Sequence, residues 1–262
     1  MTIAERTSNN TAQAFAPEHN LELEYTPRWI RAQFNGEYIA DSKRVLLARE
    51  KGRLPLYYFP REDVRMDWLE KGRKSESGDR KQYWNLQVGD KNVESAAWSY
   101  PDPTPERSAL TGYIALKWNQ MDHWFEEEEE VFVHPRDPYK RVDVMPSSRH
   151  IRVEIGGVTV ADTRRPYLLF ETGLPTRYYI PPEDVRMELL EPSPAHTECP
   201  YKGSAVYWNV RIGDKIHRNI VWGYPDPIPE APKIKGLLSF YNEKLDIYID
   251  DALEEKPQSP WS

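Results

Sequence analysis

Tyr57-Tyr58-Phe59-Pro60 followed by Glu62-Asp63-Val64-Arg65-Met66 returns as Tyr178-Tyr179-Ile180-Pro181 followed by Glu183-Asp184-Val185-Arg186-Met187, an offset of 178 − 57 = 121 residues. A repeat of this length constrains the fold strongly, because each copy must bury a core of its own and about 100 residues is a normal small domain. Gly36 and Asp41 answer Gly157 and Asp162 at the same offset, whereas Tyr83-Trp84-Asn85 answers Tyr207-Trp208-Asn209 at 207 − 83 = 124. The second copy therefore holds a three-residue insertion, and Cys199-Pro200-Tyr201-Lys202-Gly203 lies where it falls. Downstream, Trp98-Ser99-Tyr100-Pro101-Asp102-Pro103 answers Trp222-Gly223-Tyr224-Pro225-Asp226-Pro227. The chain divides into an N-terminal extension (1–25), a first, degenerate repeat (26–130), an ordered Pro-bearing linker (131–147), a second repeat (148–250) and a tail (251–262). Both ends read as poorly ordered, with Phe15 and Trp261 as aromatic anchors that can dock.

Within each copy the apolar period is two. Ile151, Val153 and Ile155 alternate with Arg152 and Glu154 before Gly156-Gly157, the pattern of a tight hairpin, and Asn35-Gly36 marks the same turn in the first copy. Trp208, Val210 and Ile212 run into Gly213-Asp214 and resume at Ile216, a second hairpin. Leu238 and Phe240 before Asn242-Glu243-Lys244, with Ile247 and Ile249 beyond, read as a third. The expected fold is all-β: two tandem small antiparallel domains of a β-tent, sandwich or barrel kind, with short helical turns at Pro105 to Ala109 and Pro229 to Lys235. The run Glu126 to Glu130 reads as a solvated edge.

Composition narrows the function classes. Thirty-five Lys and Arg against 42 Asp and Glu leave a net charge of −7, which disfavours nucleic acid and anionic membranes as partners while leaving room for a local basic groove. No apolar run approaches the roughly 20 residues of a membrane helix, and residues 1–20 lack a signal-peptide pattern. A single Cys makes no internal disulfide and no multi-thiolate zinc site, which suits a reducing compartment. A cytoplasmic protein without metal or cofactor is expected.

The segments Arg177 to Met187, Cys199 to Gly203, Tyr207-Trp208 and Trp222 to Pro227 resemble domain-of-unknown-function family 427, over residues 26–250 as two tandem copies. The resemblance implies a small all-β fold akin to the β-tent group that includes the thalidomide-binding domain of cereblon. It also brings a nucleotidyltransferase-like label. That chemistry needs a Gly-Ser pair followed by two acids one residue apart to bridge metal ions. Gly203-Ser204 is present, but Asp214 is followed by Lys215, Ile216 and His217, and Asp246 and Asp250 are four apart, so the label is set aside. The two Cys pairs of a β-tent zinc site are absent too.

The segment found in one copy only is the sharpest lead. Lys202 near Cys199 favours a nucleophilic thiolate, and His196 offers a base. His196, Glu198 and Cys199 also suggest a metal, but no second cluster completes a ligand set. A ligand pocket uses these residues more economically: Arg177, Arg186 and Lys202 neutralise an anionic group, and Tyr179, Tyr201, Trp208, Trp222 and Tyr224 supply flat walls. Repeated Glu183-Asp184-Val185-Arg186 reads as frame, and Asp226 as a loop anchor or a catalytic acid. Sequence alone thus supports a small-molecule-binding protein whose site lies in the second repeat, for an anionic or aromatic ligand. The alternatives are a structural or protein-interaction module, and a thiol-dependent enzyme using Cys199.

Overall fold

The computed structural model describes residues 20–75, 80–259 and 261–262, so Phe15 lies outside the described residues. Contacts part the chain between Asp137 and Pro138 into two units. The first contains β1 (Leu21–Tyr25), β2 (Ile30–Phe34), β3 (Glu37–Ser42), β4 (Leu46–Glu50), β5 (Leu56–Pro60), β6 (Leu69–Lys74), β7 (Gln82–Val88), β8 (Lys91–Ser99), β9 (Tyr113–Leu116), β10 (His123–Glu126) and β11 (Glu129–Glu130). The second contains β12 (Val142–Pro146), β13 (Ile151–Ile155), β14 (Val158–Thr163), β15 (Tyr167–Glu171), β16 (Arg177–Ile180), β17 (Leu190–Cys199), β18 (Gly203–Ile212), β19 (Lys215–Gly223), β20 (Leu238–Phe240), β21 (Asp246–Ile249) and β22 (Ala252–Leu253).

Both units follow one plan, all-β with little helix. A seven-stranded antiparallel sheet, β1-β4-β5-β9-β8-β7-β6 or β12-β15-β16-β20-β19-β18-β17, accompanies a four-stranded one, β11-β10-β2-β3 or β14-β13-β21-β22. β1 lies in the expected N-terminal extension and β12 in the expected linker; each is the edge strand of a seven-stranded sheet, so each unit begins one strand before the repeated motifs do. The hairpins at Asn35-Gly36 and Gly156-Gly157 form as expected. All four turn residues have positive φ, the geometry that a two-residue turn needs to match strand twist.

The third expected hairpin does not form: β20 pairs with β16 and β19 in the large sheet, and β21 pairs with β13 in the small one. A chain that changes sheets leaves the same period-two pattern as one that turns back. The helical turns materialise as short 3-10 stretches at Pro105–Leu110 and Pro232–Ile234.

In each unit the main core fills the space between the two sheets. Ile30, Ile39, Phe59, Leu86 and Trp124 belong to the first, and Ile151, Val160, Ile180, Val221 and Phe240 to the second. The opposite face of each large sheet is apolar as well, and Leu110 or Ile234 packs onto it from the 3-10 stretch. The Glu126 to Glu130 run is the expected solvated edge at Glu127, Glu128 and Glu129, which are exposed beside and within the edge strand β11, and departs from it at Glu126. Glu126 is buried, taking hydrogen bonds from Tyr57 Oη (2.7 Å) and Arg28 Nη1 (2.6 Å), while Glu128 pairs with Arg31 at 3.1 Å and Glu130 with His123 at 2.6 Å. Among the described residues no helix is long and apolar enough to cross a membrane.

Candidate functional site

Strand parity builds a polar and aromatic patch on the outer face of the second unit's large sheet. Tyr207 pairs with Trp222, Trp222 with Ser239, and Ser239 with Tyr179, so these four side chains share one face. Arg177 lies two residues before Tyr179 on β16, and Leu169, its partner on β15, lies two before Glu171. β17 and β18 form one long hairpin whose turn, Pro200 to Lys202, corrects the expected irregular loop. Lys202 N donates to Cys199 O at 3.3 Å, and Ile228 N to Lys202 O at 3.1 Å. Those bonds fasten the turn to the Tyr-Pro-Asp-Pro segment and aim Lys202 inward.

Two buried ion pairs occupy this face. The Lys202 ammonium reaches the Glu171 carboxylate, whose other oxygen lies 3.1 Å from Lys140 Nζ. Arg177 grips Glu243 through both terminal nitrogens, at 2.7 and 2.6 Å, and also donates to Asn242 Oδ1. Burial works against the Lys202 ammonium, but Glu171, and after it Cys199, outweigh burial and hold its pKa above the ordinary value. Burial likewise opposes the Glu171 carboxylate, and Lys202 and Lys140 overcome it, so its pKa lies below the usual carboxylate range.

Aromatic rings frame the pairs. Trp222 Nε1 donates to Tyr179 Oη at 3.2 Å, with the rings edge to face at 84°. Burial raises the Tyr179 and Tyr224 phenols, keeping both protonated. The tail reaches this face too: Ser259 Oγ donates to Glu243 Oε1 at 2.5 Å, and the Trp261 ring centre lies 5.3 Å from the Arg177 guanidinium. The Ser239 hydroxyl is wholly buried and has no hydrogen-bond partner among the described residues.

The structure brings together Arg177, Tyr179, Cys199, Lys202, Trp222 and Tyr224, and separates the other expected residues from them. Trp208 is one residue from Tyr207, so it faces the inter-sheet core. Arg186 sits beyond β16 on the surface, paired with Glu188 at 2.8 Å, beside a shallow cavity with Asp162 and Asp184. Tyr201 is half-buried at the turn, its ring 5.5 Å from Lys140 Nζ. His196 and Cys199 are three residues apart on a regular stretch of β17, so they face opposite ways, and His196 bonds instead with the Pro194 carbonyl at 2.9 Å. The same parity removes Cys199 from His196 and Glu198, and no metal-binding group of His, Cys, Asp or Glu forms among the described residues. Asp226 is an exposed partner of Lys235 at 3.0 Å, and Asp184 holds Arg165 and Thr163, as Asp63 holds Arg44 and Ser42 in the first copy.

Glu171, Ser239, Asn242 and Glu243 escaped the sequence reading. The first copy supplies the signal that finds some of them. It keeps the aromatic frame: Trp98 Nε1 donates to Tyr58 Oη at 3.3 Å, edge to face at 89°. Yet Leu56 stands opposite Ala48 where Arg177 stands opposite Leu169, and Ala115 pairs with Tyr58 and Trp98 where Ser239 pairs with Tyr179 and Trp222.

A family model described as "Domain of unknown function (DUF427)" matches residues 22–127 and 143–251, and the chain belongs to that family in two tandem copies. No curated protein matches the chain.

Proposed function

We propose that in this tandem member of the DUF427 family the second unit binds a small planar ligand on the outer face of its large sheet, in the space that the tail now covers. The observation carrying this reading is the contrast between copies. Buried ion pairs contribute little net stability, because desolvation offsets their attraction. The first copy adopts the same sheet with Leu56 and Ala115 at the registers of Arg177 and Ser239. The fold does not require Arg177 or Ser239, so a ligand accounts for them better than architecture does.

Their pairing also selects the ligand's chemistry. Glu243 and Glu171 already neutralise Arg177 and Lys202, which favours a planar, hydrogen-bonding molecule over a free anion. The Trp261 indole beside Arg177 has the shape such a ligand would present. Cys199 lacks the base that His196 was expected to supply, which weighs against the thiol-dependent reading.

The test is a thermal-shift and tryptophan-fluorescence comparison of nicotinamide and nicotinate, against the whole chain and a variant ending at Pro257. Nicotinamide is expected to bind the shortened chain more tightly than the whole chain, and Arg177→Leu to abolish the response. No response to either compound in either protein would sink the proposal.

A further inference from the structure

The first unit, degenerate by its motifs, has a cavity of about 320 Å³ with a different chemistry. Arg61, Lys71 and Lys74 stand at its rim, with Gln82, Trp84, Ser99 and Tyr113 deeper in the lining. In a chain of net charge −7, several arginines of this unit meet a carboxylate: Arg28, Arg44, Arg49, Arg65 and Arg107 each do so within 3.1 Å. Arg61, Lys71 and Lys74 have no ion-pair partner among the described residues. The Arg61 guanidinium lies 4.9 Å from the Trp84 ring centre instead.

A built feature of the backbone holds this arrangement. Lys71 and Lys74 are three apart, so in an unbroken strand they would face opposite ways. A bulge between them on β6 turns both toward the cavity, Lys71 opposite Trp84 and Lys74 opposite Gln82. Buried Gln82 stabilises the bulge, its Nε2 donating to the carbonyls of Gly72 at 2.9 Å and Tyr83 at 2.8 Å. Ser99 Oγ accepts from Trp84 Nε1 at 3.0 Å and fixes the indole. The second copy discards the set. Pro192 stands opposite Trp208 as Lys71 stands opposite Trp84, and Val206 pairs with Gly223 as Gln82 pairs with Ser99.

We infer that this cavity binds a small aromatic anion, its negative group held by Arg61, Lys71 and Lys74 and its ring against Trp84 and Tyr113. A cationic rim over aromatic rings with a few polar groups is the composition of a small-molecule site, and the volume is at the lower end of the usual range of roughly 300–1,000 Å³. Cations with no carboxylate partner among the described residues leave an anion's charge-assisted hydrogen bonds free to form.

Phenyl phosphate, inorganic phosphate and benzyl alcohol, each titrated into the whole chain with tryptophan fluorescence and calorimetry as readouts, test the assignment. Phenyl phosphate is expected to bind most tightly, and more weakly as salt rises. Lys71→Ala with Lys74→Ala alters only exposed side chains and is expected to weaken binding by about tenfold or more, whereas Lys215→Ala, at an exposed position of the other unit, leaves it unchanged. Equal affinity in the double-lysine variant, or no preference for phenyl phosphate over benzyl alcohol, overturns the inference.

Discussion

Ser239 lies between Tyr179 and Trp222 in the large sheet of the second unit, at the register that Ala115 holds between Tyr58 and Trp98 in the first. A methyl therefore fits where the second unit buries a hydroxyl that has no partner among the described residues. Ser239→Ala is expected to leave stability unchanged or raise it by about 1 kcal/mol, because desolvating an unpaired hydroxyl costs free energy. Urea unfolding checks this. A loss above about 1 kcal/mol would reveal a partner for that hydroxyl.

Arg177→Leu introduces the residue of the first copy but strands Glu243 and Asn242. Glu243 then keeps Ser259 as its remaining side-chain donor. Removing one member of a buried pair typically costs about 3–5 kcal/mol, and Arg177→Leu with Glu243→Gln is expected to recover much of that loss. Denaturant midpoints of the single and double variants measure the difference. Equal midpoints would show that Glu243 does not suffer from losing its cation.

Lys202 and Glu171 set opposite pH limits. The depressed Glu171 pKa contributes stability that is present above its ordinary value of 4.5 and lost as pH falls through the lower folded value. The raised Lys202 pKa contributes stability present below 10.5 and lost as pH climbs through the higher folded value. Glu171→Gln should lower stability at neutral pH and flatten the acid limb. Unfolding free energies across the pH range test both effects, and an unchanged acid limb would assign it to other carboxylates.

Gly223 and Ser99 share a register, yet the two positions differ in space. A Cβ on Gly223 would sit 2.7 Å from the Leu237 carbonyl oxygen, a backbone atom that cannot swing aside. Gly223→Ala is therefore expected to cost about 1–3 kcal/mol and lower the melting temperature by several degrees. Calorimetry decides it. A neutral result would mean that β19 and the Leu237 segment can spread at no cost.

Much of the architecture was legible because repetition and period two both survive in single letters. Asn35-Gly36 and Gly156-Gly157 announced their hairpins, and the offset from 121 to 124 located the longer β17-β18 hairpin. The site was legible only in part. Glu171 and Glu243 are far in sequence from the cations they hold, so no local spacing announces them. Period two alone puts Trp208 and Trp222 in one wall, but the strand register sets Tyr207, the neighbour of Trp208, opposite Trp222. The exchanges of Arg177 for Leu56 and Ser239 for Ala115 were readable by aligning the copies. The Lys71 and Lys74 rim was not, because a bulge reverses the side that parity assigns to one of them.

That bulge makes strand length a determinant of charge placement. Excising Gly72 would restore an unbroken alternation with Lys71 and Lys74 two apart and still on one face, whereas one residue added to β7 between Gln82 and Tyr83 would pair off the bulge and send Lys74 to the face opposite Lys71. Relatives with that longer β7 would retain the composition of a basic rim without its geometry, so comparing the lengths of the two strands should sort them better than counting lysines.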